Sequence, residues 1–256
     1  MKNKHMPLAA GARRSLAAGR CAMPGPPARN GARGRALAAG APAVGANGLG
    51  FARILGGYEV TGFGRMAVPV GCSVAIPASH GGLPVVAIRE MAFFNSGLAG
   101  VTIPSSVAII GERAFASNRL SVVSIPGSVA VIGARAFERN ELIGATIGSG
   151  VIFVEEGAFA RNRLASVLIP ESAVLLGNSA FAHNEIADAA IGGGIASIAD
   201  LAFEANPLSQ ITIPANVNIG CGQAMGARGR AFRDFYYGNM RRAGTYAFDG
   251  GRWAGP

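Results

Sequence analysis

One interval governs this sequence: from Phe93 onward it repeats every 22 residues. Ala-Phe pairs end at Phe93, Phe115, Phe137, Phe159, Phe181 and Phe203. An asparagine column follows at Asn118, Asn140, Asn162, Asn184 and Asn206. A third column holds Leu98, Leu120, Leu142, Leu164, Ile186 and Leu208, and a fourth holds Ile103, Ile125, Ile147, Ile169, Ile191 and Ile213. Pro follows that Ile in four of six units, and each unit reads N-x-L-x-x-V-x-I-P-x-x-V-x-x-I-G-x-x-A-F.

A unit this short cannot bury its own apolar face, so neighbours must stack to make a core. Self-similarity at 20 to 29 residues with Leu and Asn at fixed offsets reads as a leucine-rich repeat solenoid. The V-x-I segment has period two, so Val123 and Ile125 point inward and Val122 and Ser124 outward, as a short parallel strand requires. Pro lacks the N–H needed to continue a ladder and starts the turn away from it. The expected fold is a stack of 22-residue coils with one concave parallel β-sheet, short 3₁₀ or turn segments on the convex side, and hairpin caps at the ends.

Inside each coil, Phe is expected to fill the space between neighbours. The Asn amides are expected to form a structural ladder, bonding backbone groups of the turn that leads into the strand. The residue after each Asn alternates in sign through Arg119, Glu141, Arg163 and Glu185, which predicts a stack of opposite charges at the strand spacing. Such exposed pairs serve register more than stability.

Charge divides the chain. Residues 1–50 carry eight Lys and Arg and no acid, residues 51–225 carry a net −3, and residues 226–256 a net +4, so the overall +9 belongs to the ends. The first 50 residues, largely Ala, Gly, Arg and Pro, have no Phe, Tyr, Trp or Ile and are expected to be disordered. With no aromatic platform beside their basic charge, they do not read as a nucleic-acid groove. No apolar run reaches the length of a membrane helix. A secretory signal is not evident, because Gly11, Arg13 and Arg14 interrupt Met1 to Arg20, and Gly40, Pro42 and Gly45 thin the run after Arg35.

The organisation read from these signals is a basic segment over 1–50, an N-terminal cap with a degenerate first repeat over 51–91, a solenoid over 92–217, and a helix–hairpin cap over 218–256. In the last, Phe232, Phe235 and Tyr236 have helical spacing, and Thr245–Phe248 meets Arg252-Trp253 across Asp249-Gly250-Gly251, a hairpin signal. Seven of the 18 aromatics lie between Phe232 and Trp253 and are expected to cover the last coil.

The unit Leu120 to Phe137, LSVVSIPGSVAVIGARAF, resembles the treponemal, or BspA-like, class of leucine-rich repeats. The ending Asp234-Phe235-Tyr236-Tyr237, Ala243-Gly244-Thr245-Tyr246 and Gly251-Arg252-Trp253 is similar to the terminal segment of treponemal members. The resemblance spans about Ile54 to Trp253. It implies a protein-binding solenoid, displayed on the surface or secreted by host-associated bacteria, with host matrix or surface proteins as partners. The lack of an evident signal sets a cytoplasmic location against that. Gly148 and Gly192 depart from the expected Pro, and Glu155 and Ala199 from the expected Gly, so those coils are expected to be looser.

No enzyme or cofactor site is expected. Cys21, Cys72 and Cys221 lack metal-ligand spacing, a Cys72–His80 pair would need two further ligands, and the glycines at 220, 222 and 226 miss the phosphate-loop pattern. Ser179, His183 and Asp188 do not form a triad by position, since His183 stands at a variable turn site. The candidate protein-binding surface is the outward row of the repeat strands: Thr102, Val122, Ser124, Thr146, Ser166, Leu168, Asp188, Ala190, Gln210 and Thr212. Self-association through the aromatic cap or a sheet end is the alternative. The native protein is expected to start at Met23 or beyond, and peptides from residues 1–22 in mass spectra of native material would refute this.

Overall fold

The computed structural model describes residues 43–44, 48–64, 70–220, 229–249 and 251–256. The disorder expected of residues 1–50 lies outside the described residues except at 43–44 and 48–50, where it is corrected: strand Ala43–Val44 pairs antiparallel with Leu49–Ile54, whose first residues are buried. Within the described residues the chain winds as a β-solenoid in which the six repeat phenylalanines form one continuous stack. Successive ring centroids lie 5.2–5.6 Å apart, with planes within 10° of parallel. All six rings are fully buried. Their spacing exceeds the strand spacing of about 4.8 Å and suits offset rather than face-to-face stacking, the arrangement ring quadrupoles favour.

The front of the coil carries the expected strands, Val122–Ile125, Gly144–Ile147, Ser166–Ile169, Asp188–Ile191 and Gln210–Ile213, preceded by Ser73–Ala75 and Gly100–Thr102. Val123, Ile125, Val167 and Ile169 are buried, whereas Val122, Ser124, Ser166 and Leu168 are exposed, as period two requires. The front strands stack coil on coil in parallel, as expected. Their ladder is interrupted between Gly100–Thr102 and Val122–Ile125, and again between Gly144–Ile147 and Ser166–Ile169. At both interruptions the strand on the C-terminal side is followed by proline, Pro126 or Pro170, which has no N–H to give the preceding coil, whereas the strands before Pro104 and Pro214 still pair over three residues with their predecessors.

Glycine at that position has the opposite effect, which corrects the expectation of looseness. Gly144–Ile147 and Asp188–Ile191, each followed by glycine, pair over four residues with the strands before them. The Gly192 N–H donates to the Ile169 carbonyl at 3.0 Å. A Cβ on Gly148 or Gly192 would lie 2.5 Å from backbone atoms of the preceding coil, so these coils are in backbone contact where proline is missing. At Glu155 and Ala199 the backbone bond to the preceding coil is also kept, at 3.0 and 2.9 Å. The Glu155 carboxylate accepts the Ala134 N–H as well.

A second ladder, not foreseen, runs along the back. Ile109–Ile110, Val131–Ile132, Phe153–Val154, Leu175–Leu176, Ser197–Ile198 and Asn218–Ile219 are two-residue parallel strands in unbroken succession after Leu83–Ile88. That sheet continues into the antiparallel hairpin Leu49–Ile54 with Gly57–Phe63, the N-terminal cap. Between back ladder and asparagine the chain turns rather than forming a 3₁₀-helix. Ala114 and Ala116 close i→i−3 bonds to Gly111 and Arg113, but the intervening Phe115 N–H goes to Ala136 of the next coil.

Each turn needs two left-handed residues, two before and two after the phenylalanine. They are Met91, Arg113, Arg135, Gly157, Ser179 and Leu201, then Asn95, Ser117, Arg139, Arg161, His183 and Ala205, with φ between 49° and 61°. Only one is glycine, so the backbone tolerates a conformation that side chains disfavour. Cross-coil hydrogen bonds hold it there: the N–H groups of Arg113, Arg135, Ser117 and Arg161, for example, each donate to the following coil at 2.7–2.8 Å.

The far end is closed by helix Gly229–Gly238 and hairpin Gly244–Asp249 with Arg252–Ala254, whose first strand pairs antiparallel with Gln210–Ile213. Phe232, Tyr236, Tyr246 and Trp253 are buried against the last coil. The Tyr236 hydroxyl donates to the Pro214 carbonyl and accepts the Val217 N–H, and burial pushes its pKa up, keeping the phenol a neutral donor.

Restoring the repeat consensus with Gly192→Pro should destabilise the protein by about 1 kcal/mol or more, because it deletes the bond to Ile169 and crowds Pro170. A urea midpoint equal to or above that of the parent would contradict this account of the front ladder.

Candidate interaction surface

The corner that orients the front strands is built by the asparagines. The Asn118 Oδ1 accepts the Leu98 N–H at 3.0 Å, and its Nδ2 donates to the carbonyls of Phe93 at 2.8 Å and Phe115 at 2.9 Å. One amide thus joins two successive coils at the entry to the strand. Asn140, Asn162 and Asn184 repeat the three bonds, with the acceptor bond at 3.1 Å each time, and Asn206 repeats them at the last coil. The first four are the buried polar side chains among the described residues. Every polar atom of the amide is used, which is what makes its burial tolerable.

The charged column beside this ladder behaves differently from expectation. Arg119, Glu141, Arg163 and Glu185 follow one another coil by coil, and the N–H of each donates to the leucine carbonyl of the preceding coil. Their side chains are exposed and close no ion pair with one another. Cross-coil pairs form elsewhere, between Arg135 and Glu156 and between Arg161 and Glu138 at 3.6 Å. In water the attraction of such a pair hardly offsets the freedom two long side chains lose, so backbone stacking alone does not bring the charges together.

All ten residues of the outward front row are exposed or half-buried, and they lie in register: Val122 beside Gly144, Ser124 beside Thr146, Ser166 beside Asp188, and Leu168 beside Ala190. Gln210 and Thr212 face the C-terminal hairpin, with the Thr212 and Thr245 hydroxyls 2.8 Å apart. The hairpin therefore prolongs the row through Thr245 and Ala247. The most apolar part is central. Val122 (59% exposed), Ile143 (65%) and Leu168 (69%) rim a shallow cavity of about 430 Å³ that spans the second interruption of the front ladder. Ile143 was missed in the strand pattern because it precedes the period-two segment.

The isolated sequence candidates stay apart. Cys72 is buried in the first coil, and His80 stacks on Phe51 at 4.1 Å with its ring edge-on to Tyr58. His183 is exposed at a left-handed corner, and no hydrogen bond or ion pair joins it to Ser179 or Asp188. Among the described residues no three His, Cys, Asp or Glu gather as a metal site, and no helix is long and apolar enough to cross a membrane. Cys21 and Cys221 lie outside the described residues.

The BspA type leucine rich repeat region matches residues 76–186 and 131–250, with six copies, more than half of the chain. The chain belongs to this family. Its members are protein-interaction repeat modules. No curated protein matches. Among solved structures, the T. pallidum leucine rich repeat protein TpLRR is similar with a TM-score of 0.61 at 22% identity, over 77% of this chain and 94% of that one. Pneumococcal vaccine antigen PcpA aligns with a TM-score of 0.44 at 15% identity, over 67% and 70%. A leucine rich cell surface protein from Faecalibacterium prausnitzii aligns at 0.36 and 18%, over 70% and 73%. The likeness to TpLRR is one of fold, and the family explains why one 22-residue unit recurs with its asparagine and phenylalanine in place.

Replacing Asn162 by Ala would strand the Leu142 N–H in the interior and take one of two amide donors from each of the Phe137 and Phe159 carbonyls, which keep those of Asn140 and Asn184, at a cost of about 2 kcal/mol. Asn162→Asp should be no better at neutral pH, since a carboxylate cannot donate to those carbonyls. Urea unfolding of both variants measures this, and a loss below about 1 kcal/mol in each would mean that the amide is not the joint between coils.

Proposed function

We propose that this protein is a non-enzymatic, adhesion-type binding module whose front face holds another polypeptide. The observation that carries the reading is the exposed trio Val122, Ile143 and Leu168 set around one depression among small residues, Gly144, Thr146 and Ser166. Small neighbours let a partner's backbone approach closely, while the three apolar side chains supply area to be removed from water. Asp188 is the one charged residue in the outward row, so little desolvation cost opposes contact. We place the protein at the cell surface or in secreted form, with a host matrix or surface protein as partner, on the strength of the family resemblance.

Self-association is the second reading. The outward residues of the back ladder, Ile109, Val131, Phe153 and Leu175, form an uncharged row in register, and Ile109 and Phe153 are exposed. The cap aromatics named for that role in the sequence are largely buried and do not support it.

The triple variant Val122→Arg, Thr146→Arg, Leu168→Arg separates the readings. These side chains point into solvent, so folding should survive. Immobilised parent protein should capture a partner from extracellular matrix extract that the variant fails to retain, with both proteins sedimenting alike. Equal capture by the two would sink the front-face reading, and assembly of the parent through the back row would favour the second.

A further inference from the structure

A cavity of about 790 Å³ lies at the corner where the N-terminal cap meets the first coils. It adjoins the front face, because Arg119 and Glu141 on its wall stand three residues ahead of the strands starting at Val122 and Gly144. Its wall holds three charged side chains, Arg119, Arg139 and Glu141, together with Asn95 and Ser117 and the ring of Phe63.

The charges are the informative part. Arg119 and Glu141 were expected to neutralise each other across adjacent coils, yet neither closes an ion pair, and Arg139 reaches only its neighbour Glu138, at 3.8 Å. Two guanidinium groups and one carboxylate thus line one cavity without satisfying one another, and among the described wall residues Arg119 is the cation that no carboxylate partners. Guanidinium groups are planar forks that match a carboxylate, and a pair of them selects an anion over a neutral group. Glu141 can accept a peptide N–H, Asn95 and Ser117 can bond a peptide carbonyl or amide, and Phe63 offers an apolar floor. A neutral saccharide would use the hydroxyl and amide groups but leave Arg119 without an anionic partner.

We propose that this corner pocket anchors an acidic side chain, aspartate or glutamate, flanked by apolar residues, on the polypeptide that the front face binds. The proposal rests on the front-face reading for the ligand being a polypeptide. Its charge selectivity is independent of that reading.

The test titrates the isotope-labelled full chain with N-acetyl-Leu-Asp-Leu-amide and with its Leu-Asn-Leu counterpart, following backbone amide resonances. The aspartate peptide should shift the amides of Ser96, Gly97 and Arg119 and bind about tenfold more tightly than the asparagine peptide. Added salt should weaken the aspartate peptide selectively. Combining Arg119→Gln with Arg139→Gln should abolish the preference without moving the thermal unfolding midpoint, since both side chains are exposed. Equal affinities, shifts confined to other regions, a preference that survives in the double variant, or no binding of either peptide would each overturn the assignment. The triple arginine variant of the front face should keep the aspartate preference. Partner capture unaffected by that variant, with the preference intact, would therefore remove the front-face reading and leave the charge-selective pocket standing.

Discussion

A coil of 22 residues has too few contacts of its own to hold a shape, and the asparagine amide is what makes it rigid relative to its neighbour. Oδ1 takes the N–H of the residue that opens the preceding strand, while Nδ2 is shared by the two phenylalanine carbonyls above and below. These three groups belong to a bend, where no regular ladder could satisfy them, and they are buried. Without the amide the turn would either unfold to reach water or keep orphaned polar groups in the core. The phenylalanine stack depends on it directly, because the carbonyls being bonded are those of the stacked residues. The left-handed corners are held by the same stacking through their cross-coil N–H bonds.

Given that joint, the two faces have different characters. The back ladder is continuous because its two-residue strands contain no proline, and each coil hands its carbonyls to the next. The front is segmented. Where proline follows a strand one donor is lost, and two of those junctions carry no ladder at all. Where glycine follows, the coils close to backbone contact and pair over their full four residues. The segmentation matters for recognition, because the exposed Val122, Ile143 and Leu168 surround the gap between Gly144–Ile147 and Ser166–Ile169.

Much of this was legible in the linear repeat. The inward Val123 and Ile125, the outward Val122 and Ser124, the stacked phenylalanines, the asparagine bonds to backbone and the aromatic closure by Phe232, Tyr236 and Trp253 all follow from spacing and side-chain chemistry. The back ladder did not, since two residues such as Val131-Ile132 are too short to display period two and pair only with other coils. Ile143 was overlooked because it lies before the strand. The charged column misled because register says that backbones stack, while the positions of Arg119 and Glu141 side chains depend on a small balance between ion pairing and hydration.

By itself the sequence determined the coil: its length, its inward residues, its asparagine joint and the need for caps, because each of these is set by which side chains recur at a fixed interval along the chain. Tertiary structure alone decided how closely the coils approach and which surface groups converge. Whether proline opens the front or glycine closes it depends on the backbone of the preceding coil. Whether Arg119, Arg139 and Glu141 share one cavity without neutralising one another depends on residues brought together across coils and cap, a distance in space that the repeat does not encode.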